Sequence, residues 1–299
     1  MNKSDMVKGI LVMLLASLLN ASQMVVGKFA VTDSGTIVLL FFRMGISFFL
    51  TLGLTRILHH NKGSYLEFVR PKRVKLHIIR AATMLIATYS IFYSLKYTPA
   101  SNTTVLFLTM PLFTPIISRI FIKEKFDPII WIGMIMGFIG TYLILDPKVG
   151  DFNYHSLFAL VGGVFGAASL VTTRALHSYE TSLKILLVLY FLSFIVSGLV
   201  LAGYALVDST ELDMHVTYVL LFAGLLGYFY QAVLNKAYHF APAHVVTPFL
   251  FVTLIFTIIA DFFIWHIIHP FQAYIGMALI VVGTILIIYL PKKRGYTLD

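Results

Sequence analysis

The chain of 299 residues is 59% hydrophobic and only 12% charged, with a mean hydropathy of +0.90. A soluble protein of this length carries about twice that fraction of charge, so a water-exposed surface is excluded and lipid is the solvent. The net charge of +9 sits in short stretches between apolar runs, the pattern of membrane orientation rather than of nucleic-acid binding, and the lack of cysteine excludes disulfides and thiolate chemistry.

Lys3 and Lys8 ahead of an apolar run resemble a signal peptide, but the run continues to Val31 and has a counterpart in Ala159 to Leu176. It is therefore expected to stay as a membrane helix. Ten apolar segments follow in order: Gly9–Val31, Thr36–Ile57, Leu76–Leu95, Ser101–Ile122, Pro128–Leu145, His155–Leu176, Leu183–Val207, Val216–Tyr238, Ala243–His266 and Phe271–Leu290. At ~1.5 Å per residue each can cross a bilayer. The separators are short, and only Leu58 to Lys75 can hold a surface helix. Asp127-Pro128 reads as an N-cap and first helical residue, and Pro99 and Pro242 open the fourth and ninth segments in the same way. Pro111 and Pro115 are expected to kink the fourth, whereas the ninth has Leu254 and Ile258 there and is expected to run straight.

The stretch from Tyr97 to Leu145 recurs 143 positions later, from Phe240 to Ile288. Pro99-Ala100 falls on Pro242-Ala243, Phe113-Thr114 on Phe256-Thr257, Ile132-Gly133-Met134 on Ile275-Gly276-Met277, and Gly140-Thr141 on Gly283-Thr284. The chain thus reads as a duplication with halves 1–150 and 151–299. Fifteen of the Lys and Arg residues fall at alternate segment ends, among them Arg70, Lys72, Arg73 and Lys75, against two, Lys96 and Lys148, at the others. The bias places both termini in the cytoplasm. Five segments per half is an odd number, so the second half is inverted, an arrangement that gives a central site two nearly equivalent gates. The fold class is all-α integral membrane, ten helices in two inverted five-helix repeats.

Charged and amide groups inside such a protein cost energy and need a reason. Arg43, seven residues into the second segment, reads as a fixed cation for anionic substrate groups or a partner for Asp261; snorkelling to the interface is the competing reading. Asp261 lies one turn beyond Thr257, where the other half has Ser118, and is the candidate for a coupling proton. Tyr228, Gln231, Asn235 and Tyr238 share one face of the eighth segment, Tyr89, Tyr93 and Lys96 one of the third, and Asn20, Gln23 and Gly27 one of the first. These faces are expected to line a substrate cavity, simple interhelical hydrogen bonding being the other possibility. Glycines at spacings of three, four and seven (Gly133, Gly137, Gly140; Gly162, Gly166; Gly276, Gly283) read as close helix packing. Lys28, Arg80, Arg119, Lys123 and Arg174 are expected to snorkel, and Glu124 to organise the turn into the fifth segment. His59-His60 has no carboxylate companions, so no metal site is expected, and no nucleophile–base–acid set or phosphate-binding glycine loop is present.

This pattern resembles the drug/metabolite transporter superfamily, in its EamA-type branch. TMPLFTPIISRIFIKEKF followed by WIGMIMGFIGTYLIL is similar to the end of that family's repeat, and FFRMG and RAATM fit its first half. The second copy keeps AYHFAPAHVVTPF and YIGMALIVVGTILII, with Ile267 where Glu124 would stand. The resemblance implies export or exchange of amino acids and other small metabolites. The FFR run, SLKYTPASNTTVLFLTMPLFT and DPKVGDFN look most like S-adenosylmethionine uptake carriers.

The expected function is a secondary carrier of small polar or zwitterionic metabolites, amino-acid-like or nucleoside-like, working by alternating access. An S-adenosylmethionine carrier or exchanger is the narrower alternative, and a non-transporting membrane scaffold the alternative of another class. An enzyme is not expected, nor any cofactor, metal or nucleic-acid partner. The expected partners are substrate, the bilayer and a coupling proton or counter-substrate, in a bacterial cytoplasmic (inner) membrane. In the cysteine-free background, an impermeant thiol reagent added outside cells should label Lys148→Cys and spare Lys72→Cys. The reverse pattern would invert the topology.

Overall fold

Hydrocarbon offers no partner to backbone N–H and C=O groups, so a chain this apolar must satisfy them within helices. The computed structural model describes residues 3–59, 70–98, 100–123, 129–145, 154–205, 213–241, 243–265 and 271–289, and the elements over those residues are helical. They are α1 (Lys3–Ser34), α2 (Thr36–His59), α3 (Val74–Tyr97), α4 (Ala100–Phe107), α5 (Met110–Phe121), α6 (Ile129–Leu145), α7 (Ser156–Leu176), α8 (Ser182–Ala205), α9 (Met214–Phe240), α10 (Ala243–Val246), a 3₁₀ turn at Thr247–Phe251, α11 (Val252–Trp265) and α12 (Phe271–Tyr289). Gly35 alone joins α1 to α2; its φ of +81° is the left-handed cap that ends one helix and lets the chain reverse. Asp213 starts α9 from an extended backbone, its carboxylate accepting from the Met214 N–H at 2.7 Å. Asp127-Pro128, Pro99, Pro242, Glu124, Lys148 and the linker histidine His60 lie outside the described residues.

Among the described residues, seven helices are long and apolar enough to cross a membrane, while Met110–Phe121, Trp131–Leu143 and Tyr274–Gly283 are shorter apolar helices. Seven of the ten expected helices are thus clear membrane spans. The fourth segment is not one kinked helix. It breaks at Leu108–Thr109, and α5 restarts with Pro111 in its first turn and Pro115 inside it. The ninth segment is not straight either: Pro248, in the 3₁₀ turn, separates α10 from α11. Both halves thus carry a discontinuous helix at the same place in the repeat. A hydroxyl stands at each break: Thr109 Oγ1 donates to the Leu106 carbonyl at 2.6 Å in the first half, and Tyr238 Oη lies 3.1 Å from Thr247 Oγ1 in the second.

Helix pairing follows a pseudo-two-fold. The α1–α9 contact is matched by α3–α7, and α2 packs on α8 and α6 on α12. The α6–α12 crossing fixes its sense. A Cβ on Gly140, late in α6, would lie 2.5 Å from the carbonyl oxygen of Gly276, early in α12; one on Gly283, late in α12, would lie 2.7 Å from that of Gly133, early in α6. The two helices run antiparallel and the repeats are inverted. Gly137 lies against the Phe251 ring and Gly162 against Ala87 and Ile91, so the glycine spacings are packing surfaces. The largest core joins α1, α7 and α9 to the two broken helices, with Met13, Leu108, Tyr238 and Leu250 fully covered.

Gly140→Val is expected to lower thermal stability in detergent by about 1–3 kcal/mol, the usual cost of overpacking. Gly53→Ala, with nothing within 4 Å, should leave it unchanged. Equal midpoints for the two variants would refute a backbone-to-backbone crossing.

Candidate functional site

The polar faces of α1, α2 and α9 converge on a cavity of about 50 Å³ at the centre of the bundle, closed on its other sides by α3, the break between α4 and α5, and α7. Arg43 reaches it from α2, seven residues and about 10 Å from the helix start. It is 4% exposed, so it does not snorkel. Its Cζ lies 5.5 Å from the centre of the Phe92 ring and would be 2.8 Å from a Cβ on Gly227; the missing side chain makes room for the guanidinium. Among the described residues no carboxylate lies within ion-pair distance of Arg43. Gln23 donates from Nε2 to Asn20 Oδ1 at 2.7 Å, and its buried Oε1 has no partner among the described residues. The cavity therefore presents a cation and an amide acceptor, with Tyr230 and Phe92 as aromatic walls. That is a chemistry for a zwitterion.

Four of the expected site residues, Asn20, Gln23, Arg43 and Gln231, line this cavity. The other five lie outside its lining. Tyr228 is buried beside Tyr190, with ring centres 6.2 Å apart. Asn235 donates to the Ser182 carbonyl at 3.0 Å, and Tyr238 Oη meets Thr247 Oγ1 in the 3₁₀ turn. Tyr89 stacks on Tyr93, which meets Tyr97, His155 and Phe158, an aromatic cluster where α3 ends and α7 begins. Asp261 is on α11, its side chain outside the described part of the structure; α11 packs on α1 while α2 packs on α8 and α9, so Asp261 and Arg43 belong to different helix pairs. Tyr230 was missed because, at 3.6 residues per turn, it lies roughly 120° around α9 from the centre of the Tyr228–Tyr238 face.

A second polar cluster closes one end of the bundle, where α2 finishes and α3 begins; we call it the basic end, after exposed Arg70, Lys72, Arg73 and Lys75. Glu180, in the turn between α7 and α8, is buried there. Its Oε1 accepts from the Lys72 and Arg73 N–H groups at 2.6 and 3.4 Å, and its Oε2 from His77 Nε2 at 3.1 Å, with Lys184 Nζ 3.8 Å away. One turn on, Arg80 is fully buried and donates to the Ile185 carbonyl at 3.5 Å. The expectation that it snorkels is overturned, because packing between α3 and α8 encloses it. Arg174 likewise turns inward to the Tyr238 carbonyl at 2.9 Å. His177 donates to the Asn235 carbonyl at 3.0 Å; burial first, then the charge of Arg80, pushes its pKa down to about 4, so it is neutral. Sequence reasoning passed over Glu180, although an acid alone in so short a turn was the available signal. Among the described residues there is no group of three metal-binding side chains.

The sequence matches the EamA-like transporter family over residues 7–146 and 154–289. The S-adenosylmethionine uptake transporter of Rickettsia conorii is 26% identical over 280 residues, covering 94% of this chain and 92% of that protein. The riboflavin transporter of Vibrio cholerae is 27% identical over 231 residues, covering 77% of this chain and 76% of that one. A protein of known crystal structure shares the fold with a TM-score of 0.77 at 15% identity, covering 96% of this chain and 99% of its own.

Removing one partner from a buried ionic cluster costs about 3–5 kcal/mol. Glu180→Ala is therefore expected to lower the unfolding midpoint strongly, and Glu180→Gln less, because an amide oxygen can still accept from the two backbone N–H groups. A Glu180→Ala midpoint equal to that of the parent would show that the cluster carries no stability.

Proposed function

The chain belongs to the EamA-like transporter family, a multi-pass membrane protein that moves small molecules as a secondary transporter, and we propose that its cargo is a zwitterionic metabolite whose carboxylate binds Arg43. The observation that carries this reading is a buried guanidinium at the cavity with no carboxylate near it among the described residues. A buried cation left uncompensated is costly, so a substrate anion that neutralises it binds more strongly there than in water. The substrate's ammonium group is accepted by Gln23 Oε1, with Asn20 and Gln231 fixing its orientation. At about 50 Å³ the cavity holds only a few waters, against about 300–1,000 Å³ for typical small-molecule sites. Binding therefore requires the bundle to open, and Tyr89, Tyr93, Tyr228, Asn235 and Tyr238 become walls of the widened path.

S-adenosylmethionine, the substrate named for the Rickettsia conorii relative, offers a carboxylate for Arg43, an amine for Gln23 and a ring for Phe92 and Tyr230. Riboflavin, named for the Vibrio cholerae relative, offers a ring and hydroxyls but no carboxylate, and is the second reading. The repeats are residues 1–150 and 151–299. The broken α4–α5 and the shorter α6 and α12 bring the seven clear spans to ten crossings, with both termini and the basic end on the cytoplasmic side of a bacterial inner membrane. Transport runs on a gradient or by exchange, with Asp261 as the proton-carrying group.

Proteoliposomes should take up labelled S-adenosylmethionine or an amino acid against internal counter-substrate. A charge-assisted hydrogen bond is worth about 1.5–3 kcal/mol, so Arg43→Gln should weaken uptake roughly 10- to 100-fold, with Arg43→Lys in between. If Arg43→Gln transports normally, or only riboflavin is moved, the zwitterion reading fails. Full pH-dependent uptake by Asp261→Asn would exclude proton coupling through that residue.

A further inference from the structure

A second hollow, of about 370 Å³, opens between α2, α3 and α8 at the basic end. Phe48 and Leu52 of α2, Val74 of α3, and Leu187 and Phe191 of α8 form its walls, with Pro71 at its mouth. Phe191 and Val74 are about half exposed, so the hollow faces the membrane rather than the bundle interior. On α8 the lining runs from Leu187 to Leu192, five residues or about 7.5 Å along the helix, within the half of the ~30 Å hydrocarbon layer next to the basic end. An apolar slot of this length and volume fits part of an acyl chain within one leaflet.

The mouth adds a charge requirement. Arg70, Lys72, Arg73 and Lys75 flank Pro71 and Val74 and are exposed. Glu180 holds the Lys72 and Arg73 backbone N–H groups, so their segment is fixed while their side chains extend outward. Arg73 lies over the Tyr179 ring at 4.6 Å, which holds its guanidinium at the α7–α8 turn. The described acids near this end are already engaged: Glu180 is buried and Asp5 lies 3.6 Å from Lys8. The local field is positive, and basic pockets between transmembrane helices attract anionic headgroups.

We propose that this hollow binds one anionic phospholipid, its acyl chain between α2 and α8 and its phosphate among Arg70, Lys72 and Arg73. The lipid braces the segment that Glu180 ties to the α7–α8 turn, and so reinforces closure of the basic end. The proposal is independent of the substrate reading, because its test needs no transport.

The purified full chain in detergent is titrated with phosphatidylglycerol, with phosphatidylcholine of the same acyl chains, and with glycerol phosphate, while the unfolding midpoint is followed. Phosphatidylglycerol should raise the midpoint by several degrees more than phosphatidylcholine, and glycerol phosphate should leave it unchanged. The triple variant Arg70→Gln, Lys72→Gln, Arg73→Gln should lose the difference between the two lipids, and Val74→Trp, which fills the mouth, should blunt both responses. Native mass spectrometry of the unmodified chain should retain one phosphatidylglycerol in preference to phosphatidylcholine, a readout independent of how the variants fold. Equal shifts from both lipids, or a lipid difference that survives the triple variant, would overturn the proposal. A full response to glycerol phosphate would make this a free-anion site and overturn it as well.

Discussion

Gly140 approaches the carbonyl oxygen of Gly276 so closely that a single added carbon would collide with it, and Gly283 repeats the contact at Gly133. Each pair joins the start of one helix to the end of the other, so α6 and α12 cross antiparallel, backbone on backbone. Two halves that meet in this way are related by an axis in the membrane plane. The matching of α1–α9 with α3–α7 follows from that relation, and so does the central position of the cavity, which those helices surround. Small residues matter here because lipid tails supply no hydrophobic drive between helices, and close approach is one of the few ways to gain contact energy.

The symmetry governs the scaffold and stops at the polar groups. Arg43 stands in the first half, where its guanidinium fills the space left by Gly227 of the second. Glu180 stands in the second half and closes one end by holding backbone N–H groups of the first. At the opposite end the contact is aromatic, with Tyr93 4.6 Å from Phe158 and Tyr97 4.5 Å from His155. Charge-assisted hydrogen bonds and ring contacts differ in strength and in their response to water. The two ends are therefore chemically unequal although the helices around them are nearly symmetric.

The duplication, the inversion and the polar faces were legible in the sequence because each depends on a regular spacing. Gly-Thr pairs at one offset marked α6 and α12, and the three-residue step from Asn20 to Gln23 placed two amides on one helix face. The break at Pro248 was not legible, since the comparison of halves looked for Pro111 and Pro115 and found Leu254 and Ile258 instead. Arg80 was misread because distance from a helix end does not reveal which neighbour encloses a side chain. Glu180 was passed over since its partners are backbone N–H groups more than a hundred residues away, and no local spacing encodes them.

The small cavity and the broken α4–α5 helix adjoin one another. Continuous helices bury their N–H and C=O groups in their own ladders and resist bending, whereas α4–α5 and α10–α11 are interrupted where they border the core. Pro111 and Pro248 remove a donor at each interruption, and nearby hydroxyls of Thr109 and Tyr238 supply local hydrogen bonds there. Such joints let half a helix tilt without breaking a ladder, and irregular backbone is tolerated at membrane depth only when protein or a cavity surrounds it. For the proposed zwitterionic cargo, a cavity of about 50 Å³ bordered by one of these joints must widen before a carboxylate can reach Arg43, which has no acid within ion-pair distance among the described residues. Arg43 and that joint lie on different helices packed around the cavity, so under this proposal binding and opening are coupled through packing.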